Sequence, residues 1–267
     1  MRKEKIKEYI YDRITNIDTT CKVIPPVFSA DDIHKFRVEI KKLRSFIRLL
    51  SVDKKQPALR LTRKIERLYK IAGTIREAQL EIEKLDKEKV EMPVYFQQLH
   101  TTIAINVKQW GTIYSAKVVK KLSRRLLGNN FNNLDIDALH EFIAKNIQQL
   151  SSVKATEPGN EQIHNYRKKI KDLLYISKVV KDWKKGNSMI SDFPINQLDA
   201  LADMIGTYND KRIMLEHIQE FESGILMQQE HDNMYLFFKE NMRKQHTEKK
   251  KVVHGIKDLL KNAEGWE

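Results

Sequence analysis

The chain is short of the residues that cross-link or interrupt a backbone. Its single cysteine, Cys21, excludes an intrachain disulfide and leaves no thiolate cluster for a metal. Glycine (9) and proline (6) are scarce among 267 residues. Sustained apolar/polar alternation is also missing, which argues against strands. No apolar run approaches the length that spans a bilayer. The opening stretch, MRKEKIKEYIYDRITN, is charged throughout and lacks the apolar core of a secretion signal. A soluble, cytoplasmic protein without a membrane role is expected. Acidic residues are the last deficit: 36 Asp and Glu face 49 Lys and Arg, a formal charge of +13. Such an excess attracts polyanions and leaves the fold open.

What remains is strongly helical. Ile6, Ile10, Ile14 and Ile17 form a stripe at helical spacing, and the 41% of apolar residues suffices for a core. We expect an all-α fold. Breaks are predicted at Ile24-Pro25-Pro26, around Pro57, at Met92-Pro93, at Gly128-Asn129-Asn130, at Glu157-Pro158-Gly159 and around Gly186-Asn187. Asp31 and Asp32 are candidate N-caps. Gly111 is expected to bend or break the segment from Pro93 to Leu127, and His231 to Lys261 reads as one or two helices.

The most telling feature is a repeat. Residues 33–50, IHKFRVEIKKLRSFIRLL, match residues 163–180, IHNYRKKIKDLLYISKVV, at an offset of 130. Ile33/Ile163, His34/His164, Arg37/Arg167, Ile40/Ile170, Lys41/Lys171 and Leu43/Leu173 are identical. Packing alone would need only the apolar positions, so keeping His, Arg and Lys in register points to two copies of one binding surface. A second element repeats at an offset of 133: Gly73-Thr74 with Glu77, and Gly206-Thr207 with Asp210. Each half therefore repeats a helix, a second helix and a Gly-Thr break. Two halves of one domain, 1–155 and 156–267, are predicted, each a small helical bundle.

On a helical wheel His34, Arg37, Lys41, Arg44 and Arg48 share an arc of roughly 80 degrees. Phe36, Ile40, Leu43, Ile47 and Leu50 fill the arc beside it. His164, Arg167, Lys171 and Lys178 repeat this cationic ridge, with Leu174 where Arg44 would be. Secondary basic contacts are Lys42, Arg60, Arg63, Arg67, Lys117, Lys120, Lys121, Arg124 and Lys168. Like charges one turn apart repel by a few tenths of a kcal/mol each. Glu39 and Asp172 lie off the ridge arc and cannot neutralise all of it. A basic helix face is most often a solvated surface, and a lone histidine most often a structural one. The duplication of both favours ligand binding, with phosphate as the match for forked Arg donors.

These residues resemble the CHAD family, the conserved histidine α-helical domain. Its pattern is His, Arg three later and Lys four after that, in both halves, with Arg76-Glu77 and Asn209-Asp210 following the glycines. The resemblance implies two helical bundles related by pseudo-two-fold symmetry around a basic central cavity. It also implies non-catalytic binding of long-chain inorganic polyphosphate, with association to polyphosphate granules. Leu174 and Asp172 depart from the pattern, so the second ridge is expected to bind more weakly.

Catalytic signatures are missing. His140-Glu141 opens like a zinc-protease motif, but Ala144 stands where the second ligand belongs. Glu81-Ile82-Glu83-Lys84 has Leu85 in place of the lysine that triphosphate tunnel enzymes require. No enzyme activity, cofactor or metal site is expected. A nucleic-acid binder is the alternative, weakened by the absence of an aromatic platform on the ridge. A helical scaffold for an acidic protein partner is the third reading.

Overall fold

The structure is a computed structural model that describes residues 1–154, 157–183, 195–221 and 228–263. Every regular element among them is helical. The order is α1 (Lys3–Val23), α2 (Ala30–Leu50), α3 (Arg63–Glu88), α4 (Pro93–Ile113), α5 (Ala116–Leu127) and α6 (Ile136–Ser151). A short 3-10 turn (Ser152–Lys154) leads to α7 (Asn160–Trp183), α8 (Ile195–Phe221) and α9 (Gln228–Ala263).

The isoleucine stripe of α1 is wholly inside, with Ile6, Ile10 and Ile17 fully buried. It joins Ile33, Phe36, Ile40, Leu43 and Phe46 of α2 in the first core, which also takes in the near half of α3, α5 and the end of α4. Trp110 anchors that core, with Phe28 and Phe36 edge-on at 6.1 and 5.3 Å. A second core gathers Ile163, Ile170 and Leu173 of α7 with α8, α9 and Leu150 of α6. Ile176 and Val180, near the end of α7, enter the first core instead. A third cluster ties the far halves of α3 and α8 to Tyr95, Met234 and Phe237. Apolar packing therefore locks α2 onto α7 and α3 onto α8.

Most breaks fall where proline and glycine put them. Pro25-Pro26, Pro57, Gly128 and Pro158-Gly159 all lie between helices, and Pro93 opens α4 at its first position. Gly186-Asn187 lies outside the described residues. Three local expectations change, and the choice between one and two helices at the C-terminal end falls to one. Ser29, not Asp31 or Asp32, caps α2: its Oγ accepts from the Asp32 backbone N–H at 3.1 Å and donates to the Asp32 carboxylate. Helix α4 continues through Gly111 and ends at Ile113, so the break in this segment falls at Tyr114-Ser115 and not at the glycine. Residues 231–261 belong to one helix, α9. Gly73-Thr74 and Gly206-Thr207 are not breaks at all but lie inside α3 and α8.

Candidate functional site

The two glycines repeat because an arginine needs their space. A Cβ built on Gly73 would lie 2.1 Å from an Arg37 guanidinium nitrogen. One built on Gly206 would lie 3.2 Å from a guanidinium nitrogen of Arg167. Arg37 and Arg167 thus each lie in a notch against a glycine of the next helix, where a methyl would displace the Arg37 guanidinium and press on that of Arg167. Arg37 donates to the Tyr69 carbonyl at 3.1 Å. Its guanidinium and that of Arg44 both sit over the Tyr69 ring, at 4.7 and 4.3 Å. The sequence signal for the notches was the Gly-Thr repeat, read as punctuation. Tyr69 gave no signal, since an aromatic residue on α3 reads equally well as core.

Part of the second ridge comes close to the first. Lys41 is pushed down from its ordinary 10.5 to about 7 by burial first, then by Arg167, Arg37 and Lys171, against the pull of Asp210. Two of those three cations belong to α7. His34 is held below the usual imidazole range by partial burial and by Lys41, Arg76, Arg37 and Lys171. His164 is held low in the same way, by partial burial and Lys168, while a 3.3 Å contact to the Asn209 side chain pulls the other way. Asn209 in turn accepts from Arg212 at 3.3 Å. Asp210 and Glu77 lie among these groups, and burial raises both carboxyls despite the arginines and Lys41 nearby. His34, Arg37, Lys41, Arg167 and Lys171 therefore share one electrostatic neighbourhood, with Arg76 added to it.

Carboxylates from other helices neutralise part of each ridge. Asp172 neutralises one cation of the first: Arg48 Nε donates to it at 2.8 Å, its other guanidinium nitrogen completes the pair, and Ser45 Oγ donates as well. Asp172 is off its own helix's ridge arc, yet that places it on the face of α7 that meets α2, where it is 3% exposed. The second ridge is also less bare than its own sequence suggests. Lys171 meets Asp203 at 3.4 Å and Asp199 at 3.9 Å, and Lys178 meets Asp199 at 3.1 Å. Those carboxylates come from α8, so no inspection of α7 alone reveals them.

The secondary contacts divide. Lys42 turns away from the ridge and pairs with Glu39 at 2.7 Å, beside Arg13. Arg67, Lys120, Arg124 and Lys168 are exposed, and Lys168 touches only Asn165 at 3.2 Å. Arg60, Arg63, Lys117 and Lys121 converge with Arg44 and Arg48 on a cleft between α2, α3 and α5. Arg125, which the sequence reading missed, joins them one turn beyond Lys121. The predicted Lys/Arg cluster of α5 is thus split between two faces, as 3.6-residue geometry requires.

Phe36 and Tyr166, 0% and 5% exposed, belong to the cores, and Tyr69 is covered by two guanidiniums. Among the described residues no helix is long and apolar enough to cross a membrane, and no group of His, Cys, Asp and Glu could hold a metal ion. Burial and Asp18 push the Cys21 thiol up to about 12, which keeps it protonated and unreactive.

No curated protein matches the chain closely enough to count as a relative. The family model described as the CHAD domain matches residues 22–219, a span that begins at the end of α1 and runs almost to the end of α8. With the paired His-Arg-Lys ridges and their glycine notches inside the matched span, the chain belongs to the CHAD domain family.

Proposed function

We propose that this protein binds long-chain inorganic polyphosphate without turning it over. In this reading the two repeats form bundles related by a pseudo-two-fold axis, and their ridges line a basic central cavity that the polymer threads. One observation carries the proposal. Arg37, Arg167 and Lys171, cations of both repeats, gather around Lys41, and its burial together with their charges pushes its pKa down to about 7. Burying like charges together costs stability, and an extended polyanion is the ligand that repays it. Arg37 and Arg167, seated in their glycine notches, are preorganised to offer forked donors to successive phosphates. Lys171, Lys178 and Arg48 already hold carboxylates, so they bind phosphate by exchange and contribute less. Docking of the protein onto polyphosphate deposits follows from the same contact.

The test is a titration across polyphosphate lengths at two salt concentrations. Log affinity should fall by about 0.7 per phosphate contacted for each tenfold rise in salt. Reversing Arg37 and Lys41 together, Arg37→Glu with Lys41→Glu, should abolish most binding and leave helicity intact. Unchanged affinity in that variant rejects the surface. Equal displacement by RNA at matched phosphate concentration rejects the preference for polyphosphate, and an acidic helix that binds where polyphosphate does not compete supports a protein partner.

A further inference from the structure

A second basic feature lies at the far end of the first ridge. The cleft between α2, α3 and α5 has a volume of about 970 Å³. Eight of the residues that line it are Lys or Arg, and one, Glu66, is acidic. Arg60, Arg63, Lys64, Lys117, Lys121 and Arg125 are all exposed, and among the described residues none of them has an ion pair. The ridge cations Lys171 and Lys178, by contrast, have carboxylate partners. A cleft that gathers this many unpaired cations repels itself until an anion enters it.

The cleft also ends on a helix. Thr62 is the N-cap of the 26-residue α3, and no side chain caps that end. Thr62 lines the cleft, is 4% exposed, and its Oγ1 is a buried hydroxyl with no partner. A buried hydroxyl without a partner is unusual and costs free energy. At a helix N-terminus it stands beside free backbone N–H groups and the positive end of the helix dipole. That combination suits a phosphate with several unbridged oxygens. Leu61 and Val118, 8% and 3% exposed, close the floor with Thr62. A polymer passing along the ridge meets the cleft at Arg44 and Arg48, and a chain end turned into it meets Thr62.

We propose that this cleft is a separate binding site for the terminal phosphate of an oligophosphate. The terminal group has three unbridged oxygens and a charge that internal phosphates lack. It can be supplied by the end of a long chain lying on the ridge, which rests on the function proposed above, or by a free short oligophosphate, which does not.

The experiment is calorimetric titration of the full chain with tripolyphosphate, with two double variants. Arg63→Gln with Lys121→Gln alters the cleft alone, and Arg37→Gln with Lys41→Gln alters the ridge alone. Arg63 and Lys121 are exposed, Arg37 and Lys41 are partly buried, and circular dichroism checks each fold. We expect one tripolyphosphate per chain, affinity at least about tenfold weaker in the cleft variant, and a change under about threefold in the ridge variant. No binding to the unaltered protein, or equal losses in the two variants, overturns the site. Long chains with both ends blocked as amidates separate the sources. If blocking weakens long-chain binding in the unaltered protein but not in the cleft variant, the chain end is the occupant. If blocking has no effect while tripolyphosphate binding persists, free oligophosphates are. Tripolyphosphate binding with no long-chain binding leaves the cleft standing and rejects the ridge.

Discussion

Lys41 should take up a proton when polyphosphate binds. In the free protein its ammonium is buried beside Arg37, Arg167 and Lys171, and only Asp210 offsets them. Lowering it from 10.5 to about 7 makes charging it on the order of 5 kcal/mol harder than in water. Phosphates laid between those cations reverse the field. At about pH 8.5 roughly 3% of Lys41 is charged in the free protein, and nearly all would be charged if the ligand restores a value near 10. About 0.9 proton per chain is then absorbed. Neither His34 nor His164 interferes, because both are held below the normal imidazole range and stay neutral at that pH. The measurement is binding enthalpy in two buffers of different ionisation enthalpy. Proton uptake below about 0.2 per chain at that pH, or equal uptake in Lys41→Arg, would refute the argument. The same group gives a stability signature. Its value is lowered on folding, so between 10.5 and about 7 the unfolded chain holds more protons and stability rises with pH across that window. Lys41→Met should flatten the rise in a denaturant series run at pH 7 to 10.

Gly73→Ala should separate stability from binding. Alanine gains about 1 kcal/mol in helix propensity, but its methyl takes the place of the Arg37 guanidinium and breaks the donation to Tyr69. Stability should stay within about 1 kcal/mol of wild type while polyphosphate affinity falls roughly five- to tenfold. Gly206→Ala, where the contact is 3.2 Å, needs only a small shift of Arg167 and should change affinity less than about twofold. Unchanged affinity in Gly73→Ala would show that the notch does not matter. Asp172→Ala strips the buried acceptor from Ser45 and Arg48. Chemical denaturation should show a loss of about 2–4 kcal/mol, while the freed Arg48 strengthens polyphosphate binding. A weaker complex would mean that Asp172 positions Arg48 for the ligand.

Periodicity carried much of this architecture in the sequence itself. The isoleucines of α1 and the apolar arc of α2 are buried because residues three and four apart share a face wherever the helix packs. The repeat of His, Arg and Lys likewise marked α2 and α7 as a pair. Propensity misled at Gly73 and Gly206. A glycine inside a basic helix reads as a breaker, and only the neighbouring helix shows what fills the missing Cβ. The partner of Asp172 was not legible at all. A wheel drawn for one helix says which way a carboxylate leaves the axis, not that Arg48 of another helix waits there.

The order of residues by itself determined the helical class, the duplication and the identity of the cationic faces, since each depends on spacing within about twenty consecutive positions. Tertiary structure decided which cations are spent. Pairing of Lys171 and Lys178 with α8, seating of Arg37 and Arg167 against glycine, and the loss of charge on Lys41 all depend on distances between helices far apart in the chain. Coulomb energy and desolvation vary with those distances and with burial, and neither is written in local sequence.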